Sequence, residues 1–194
     1  MKILGIIGSP HKKGNTDILV SKILQGIKSK NAVVEKVHLN DLNLFPCKAC
    51  FKCSRNGKCI LKDNFNSLLN KIRQVDIIIL GSPVYCETVT AQTKILIDRI
   101  DSSQVIVTKL KGKTILKRRA EWNTYTKKGV IVCIGDLSPM KEIKQASSVM
   151  KRLFGDLNIK LVDELLARGL TKSADVLKRP TLLKKAIGIG TKLT

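Results

Sequence analysis

The sequence predicts an α/β protein: a doubly wound, five-stranded parallel sheet in the order 2-1-3-4-5, three layers deep, with helices on both faces. Three observations carry this. Short runs that are apolar throughout (Lys2–Gly8, Asp76–Gly81, Gly129–Gly135) alternate with segments of helical spacing, as strands buried on both faces do between crossover helices. The chain has 194 residues, 43% of them hydrophobic, enough for one domain with a sizeable core. The first and third strands, Lys2–Gly8 and Asp76–Gly81, each end in a Gly-Ser-Pro loop, at the switch point where such sheets bind ligands.

Each element has its own signal. Lys2–Gly8 is a buried strand ended by Gly-Ser-Pro. From Thr16, apolar residues recur at Ile18, Leu19, Ile23, Leu24 and Ile27 with helical spacing, and Asn15 or Thr16 is the expected cap. Ala32–Leu39 alternates and is rich in valine, a second strand. Asn40–Asp63 is a long connection, and Phe65–Gln74 an amphipathic helix. Asp76–Gly81 is the third strand and Ala91–Ile100 a helix. Gly129–Gly135 is a strand, Met140–Phe154 a helix, Asn158–Asp163 the fifth strand and Thr181–Leu193 the last helix. Residues 1–194 read as one domain, with a cysteine-rich loop at 46–60 and a basic insertion at about 105–128 that fits no element well. That insertion holds eight Lys or Arg against one acid, Glu121, together with Trp122 and Tyr125, and reads as a β-excursion or flap.

Composition narrows the classes of function. There are 36 Lys and Arg against 15 Asp and Glu, a net charge of +21. Such a surface suits a nucleic acid, an acidic protein or an anionic cofactor, or is a solvated Lys-rich face. Aromatic residues make up only 4%, which argues against base stacking on a single strand. No run of eighteen apolar residues is present and the N-terminus lacks a secretory pattern, so the expectation is a cytoplasmic protein without a membrane span.

The loop after the first strand, GSPHKKGNT (Gly8–Thr16), is a phosphate cradle. Its small residues let backbone N–H groups approach an anion, Ser9, Asn15 and Thr16 offer donors, and His11, Lys12 and Lys13 add charge. The helix that follows points its positive end into the loop. Neither GxxxxGK[ST] nor GxGxxG is present, so a monophosphate fits better than a dinucleotide. Plain turn and cap chemistry is the alternative for Ser9 and Asn15, and a solvated loop histidine for His11. The loop after the third strand, GSPVYCETVTAQTK, sets Pro83 and Tyr85 as a flat wall beside the cradle. One phosphate and one planar ring match flavin mononucleotide, FMN. Packing is the alternative for Tyr85. Cys86 reads equally as a small hydrophobe or as a neighbour of the ring, and Cys133 as core.

The stretch PCKACFKCSRNGKC carries Cys47, Cys50, Cys53 and Cys59. Disulfides are disfavoured in a reducing compartment, and structural zinc normally takes two pairs separated by a dozen or more residues. Three cysteines at x2 intervals match the start of a ferredoxin-type run, so a 4Fe-4S cluster is the leading reading, with zinc or an unligated loop as alternatives. Lys48, Lys52, Arg55 and Lys58 would offset the cluster's negative charge.

SPHKKGNT, PCKACFKCSRNGKC and GSPVYCETVTAQTKILIDR together resemble the iron–sulfur flavoproteins of archaea and anaerobic bacteria, within the flavodoxin-like NADPH-dependent FMN reductase superfamily. The resemblance covers Met1–Asp101 well and Gly129 onward loosely. It implies a flavodoxin-like fold, one FMN and one 4Fe-4S cluster per subunit, and a homodimer or homotetramer in which the cluster of one subunit lies near the FMN of another. It assigns Ser9, His11, Gly14, Asn15 and Thr16 to the FMN phosphate, Pro83, Val84, Tyr85 and Cys86 to the flavin, and Cys47, Cys50, Cys53 and Cys59 to the cluster. Asp98 and Arg99 would fall near a subunit contact, with an ordinary surface ion pair as the alternative. The family usually has arginine at the position of His11, and often a glycine-rich loop where this chain has Gly135–Pro139. The implied activity is electron transfer from ferredoxin, or another acidic donor, through the cluster to FMN and on to oxygen, peroxide or a quinone, with no side-chain acid or base. The alternatives are an NAD(P)H-dependent FMN or quinone reductase without a cluster, and a nucleic-acid-binding protein on the same scaffold.

Overall fold

The computed structural model describes residues 1–29, 31–110, 113–119 and 127–193. The elements are β1 (Lys2–Ile7), α1 (Asn15–Gly26), β2 (Val33–His38), α2 (Phe65–Gln74), β3 (Ile77–Tyr85), β4 (Thr88–Val89), α3 (Ala91–Gln104), β5 (Val105–Leu110), β6 (Lys113–Arg118), β7 (Lys127–Ile134), α4 (Met140–Asp156), β8 (Ile159–Ala167) and α5 (Pro180–Thr191). The main sheet runs β2-β1-β3-β7-β8, all parallel, which is the expected 2-1-3-4-5 order. The two-residue β4 folds back on the end of β3.

Period-two alternation sorts the strand residues between two cores. Leu4, Ile6, Ile78, Leu80, Ile131 and Cys133 face α2, α3 and α4, where Phe65, Leu69, Ile100, Met150 and Phe154 are buried. Ile3, Ile7, Ile77, Ile79, Val130 and Val132 face α1 and α5, with Leu19, Ile23, Ala186 and Ile189. The central strands are buried on both faces, which is why they read as unbroken apolar runs.

Two strands outrun their expected ends. β3 continues past Gly81 to Tyr85, because Ser82 and Pro83 keep pairing with Cys133 and Ile134 of β7. β1 has already ended opposite Gly81, so the missing N–H of Pro83 costs no ladder bond on that side. β8 extends to Ala167 rather than stopping at Asp163; a register shift beside Gly129–Val130 accommodates it, and Asp163 and Glu164 sit at the sheet edge. There they meet Lys192 and Lys151.

The basic insertion at 105–128 begins as an antiparallel hairpin, β5 with β6, continuing directly from α3. Lys111, Trp122 and Tyr125 lie outside the described residues. Lys127 and Lys128 belong to β7 instead. Among the described residues no helix is long and apolar enough to cross a membrane.

Candidate functional site

At the carboxyl ends of β1, β3, β7 and β8 lies a cleft of about 310 Å³, in the size range of small-molecule sites. One wall is the loop after β1, with Ser9, His11, Gly14, Asn15 and Thr16; a second is the end of β3, with Pro83, Val84 and Tyr85. The two are braced together. Gly8 N–H donates to Gly81 O at 2.7 Å. The Thr90 hydroxyl, which caps α3, donates to Gly8 O at 2.7 Å, and Thr90 N–H donates to Ser82 Oγ at 3.1 Å. The cradle's shape is therefore held by hydrogen bonds within the chain that need no ligand.

Within that wall, Thr16 is 1% exposed and its hydroxyl has no hydrogen-bond partner. A buried hydroxyl without a partner at the N-terminus of α1 is the donor a bound anion would satisfy. Asn15 behaves differently from the expectation. Helix α1 starts at Asn15, with Gly14 as an extended N-cap and no side-chain cap. The Asn15 amide donates to Lys172 O at 2.8 Å and accepts from Val176 N–H at 3.0 Å. Its side chain is spent on the loop after β8, so only its backbone N–H is left for an anion.

Lys13 and Cys86 are not among the residues that line the cleft. Lys13 has φ +57°, which turns its side chain out, and it borders a separate hollow with Asp17 and Lys36. Cys86 has φ +48° in the tight return from β3 to β4 and is exposed, outside the cleft wall. Sequence reading assigned no residue to the far side of the cleft. Ile134, Gly135 and Asp136 end β7, and Leu170, Thr171, Lys172 and Ser173 follow β8. Gly135 N–H donates to Ala167 O at 2.9 Å, and Gly169 N–H to Asp136 O at 2.5 Å, tying the two segments. Asp136 is held below the usual carboxylate range by hydrogen bonds from the Ser138 N–H and hydroxyl. The signal was present in the 2-1-3-4-5 order, which brings every strand's carboxyl end to one edge.

The cysteine loop sits against the last turns of α3. Ala49 (φ +48°) and Phe51 (φ +53°) flank Cys50 in the left-handed region, at a cost of roughly 1–2 kcal/mol each for an L residue. The tight path brings Cys47, Cys50, Cys53 and Cys59 around one hollow, which Arg99 and Ser102 of α3 complete. The Cys47 sulfur is 3.4 Å from Ser102 Oγ, the Cys53 thiol donates to Ser102 O at 3.3 Å, and Ala49 N–H donates to Cys47 Sγ at 3.4 Å. All four cysteines are free thiols. Burial pushes the Cys53 thiol up, and the thiols of Cys59, Cys47 and Cys50 push it further. Asn66 grips both backbone groups of Cys59, and Arg119, at the foot of the hairpin, donates to the carbonyls of Cys53, Ser54 and Ser103.

Among the described residues no group of three or more His, Cys, Asp or Glu converges on a point that would hold a single metal ion. A cubane makes a different demand, since its four thiolates each bind a different iron and so surround a volume. The four thiols line one hollow of about 20 Å³.

A family model described as NADPH-dependent FMN reductase matches residues 1–144. Among curated relatives, an iron–sulfur flavoprotein of Methanocaldococcus jannaschii is 44% identical over 99 residues, 51% of this chain and 51% of the relative. One from Methanosarcina thermophila is 30% identical over 135 residues, 70% of this chain and 63% of the relative. The matching stretch thus spans between about half and two thirds of these relatives' length. Among solved structures, an NAD(P)H:quinone oxidoreductase from Methanothermobacter marburgensis superposes with a TM-score of 0.73 at 16% identity, covering 100% of this chain and 99% of that one. An archaeal flavodoxin superposes at 0.57 with 15% identity, covering 100% and 96%. At such identities these structures speak to the fold, which is flavodoxin-like.

Proposed function

Since this chain belongs to the NADPH-dependent FMN reductase family, we propose that it is a flavin-dependent oxidoreductase with FMN in the cleft at the carboxyl edge of the sheet and a 4Fe-4S cluster in the cysteine loop. The observation that carries the cluster half is the enclosure of one hollow by Cys47, Cys50, Cys53 and Cys59. The curated relatives named iron–sulfur flavoproteins support it. When bound, the two groups supply reversible electron exchange, so the chain contributes no acid or base and instead binds, orients and shields. Thr16, Ser9 and the N–H groups at the start of α1 hold the FMN phosphate. Pro83, Val84, Tyr85 and the Gly135–Asp136 backbone bound the ring, and Lys172 adds a cation at the rim.

We infer an acidic donor protein such as ferredoxin, and a small acceptor such as oxygen, peroxide or a quinone. Residues 42–62 contain no acid, and Lys48, Lys52, Arg55 and Lys58 are exposed without a carboxylate partner among the described residues. A surface of that kind favours an acidic partner through steering. A homodimer or homotetramer belongs to the same reading.

The test is protein purified without oxygen and reconstituted with iron and sulfide. The expected result is one FMN with about four iron and four sulfide per subunit, the iron and sulfide being lost together in Cys53→Ser. Retained FMN with iron near zero sinks the cluster half. It leaves the second reading, favoured by the family description: an NAD(P)H-dependent FMN or quinone reductase whose flavin is bleached by NADPH at a rate Cys53→Ala does not change.

A further inference from the structure

Among the described residues Arg99 is the largest side chain to be fully enclosed, at 2% exposed. A buried guanidinium is expensive unless every N–H finds a partner. Most do, and the partners are specific. One terminal nitrogen donates to Phe45 O at 3.1 Å and to Asp63 Oδ2; the other donates to Asp63 Oδ1 at 3.0 Å. Asp63 in turn accepts from Phe45 N–H at 2.9 Å and Phe65 N–H at 3.1 Å. Phe45 precedes the first loop cysteine and Asp63 follows the last. The pair therefore closes the loop at its neck, as a fork-to-fork contact of fixed geometry. The Phe65 ring stacks on the guanidinium, 4.1 Å from its centroid, which fixes the plane further.

These three bonds leave two N–H groups, one of them on Nε. Arg99 Nε is buried without a hydrogen-bond partner, while the side chain lines the cysteine hollow. Buried donors are seldom orphaned in a site that is complete. Arg99 and Cys59 line the same hollow, so the cation stands in its wall. A loop tether alone needs the three bonds to Asp63 and Phe45; it does not need a further buried N–H without a partner.

We propose that Arg99 is the positioning residue of the cysteine loop: it locks the neck through Asp63 and presents a buried positive charge and a spare N–H to the sulfur ligands at Cys59. This rests on the cluster-binding reading of the loop. The role has two separable consequences. The locked neck slows loss of iron from the loop. The buried charge favours whichever redox state of a bound cluster is more negative, and so raises its reduction potential.

The test uses reconstituted full-length protein, with bound iron, the spectroelectrochemical midpoint of the cluster and iron release to a chelator as readouts. Arg99→Met combined with Asp63→Asn removes both members of the buried pair, so no lone charge is left in the core. This variant is expected to shift the midpoint to lower potential. Arg99→Lys keeps the charge but not the fork, and is expected to hold a midpoint between wild type and the double variant while releasing iron several-fold faster than wild type. A double variant with the wild-type midpoint overturns the proposal; if that variant does not fold, iron release from Arg99→Lys at the wild-type rate overturns it. Wild-type protein that takes up no iron and sulfide instead overturns the cluster reading.

Discussion

Thr16 shows how a single residue separates binding from stability. Its hydroxyl is buried with no partner, so the apo protein gains nothing from it, and a charged phosphate oxygen would be its natural acceptor. Thr16→Val keeps the shape and deletes the donor. FMN affinity is expected to fall by about 1.5–3 kcal/mol, the worth of a hydrogen bond to a charged group, read by flavin fluorescence titration. The urea midpoint of the apo protein is expected to stay level or rise. Unchanged affinity would show that the phosphate does not reach the start of α1. Asn15 is the contrasting case, because the same cradle contains a polar side chain fully occupied by Lys172 O and Val176 N–H. A donor type in the right loop is therefore weaker evidence than a donor without a partner.

At the scale of elements, helices α1 and α5 meet at a glycine crossing that no motif announces. A Cβ on Gly190 would lie 2.1 Å from Ile23 O and 2.8 Å from Gly26 Cα, and one on Gly26 would lie 2.1 Å from Ile187 O. Both glycines are helical, and the helices touch backbone to backbone there. Gly190→Ala must push α5 off α1 and off the apolar face beneath it. The expected cost is ~1–3 kcal/mol by overpacking, seen as a lowered thermal midpoint of roughly 2–4 °C per kcal/mol for a chain of this size. The C-terminal turns of α3 show the same division of labour in polar terms. Arg99 and Ser102 serve the cysteine hollow, while the carbonyls of Ser103 and Gln104 anchor Arg119 at the foot of the hairpin. One helix end thus couples the hairpin and the loop.

For the whole molecule, electrostatics makes folding sensitive to acid despite the excess of base. Burial would raise the carboxyl of Asp17, but the hydrogen bond from Lys36, the Lys13 N–H and the nearby charges hold it below its ordinary value. For Asp63, burial is likewise outweighed by Arg99 and by the N–H groups of Phe45 and Phe65. A depressed folded value means that the unfolded chain binds protons first as pH falls. The stability these groups add is complete above the unfolded value and is lost as pH drops through the folded one. Urea midpoints are expected to be flat near neutrality and to fall as pH drops below about 4, the ordinary carboxyl value, and Asp17→Asn is expected to flatten that fall. An equal slope in the variant would show that Asp17 is not a titrating contributor.

What the sequence determined by itself was the sheet and the two places on it where chemistry belongs. Apolar strands between amphipathic helices admit few arrangements, so order, layers and the loops after β1 and β3 follow from periodicity and from Gly-Ser-Pro. Cysteine spacing likewise marks Cys47, Cys50, Cys53 and Cys59 locally, because the spacing is itself the signal. Only the tertiary structure decided what depends on contacts distant in sequence. It supplied the far side of the cleft at Leu170–Ser173, turned Lys13 and Cys86 away through left-handed backbone, and spent Asn15 on a loop 155 or more positions along the chain. It also set Arg99, a residue that reads as an ordinary helix-surface cation, into the wall of the cysteine hollow. A local pattern reports where the backbone goes; which side chains still have a hydrogen bond to give is known only once every partner has been placed.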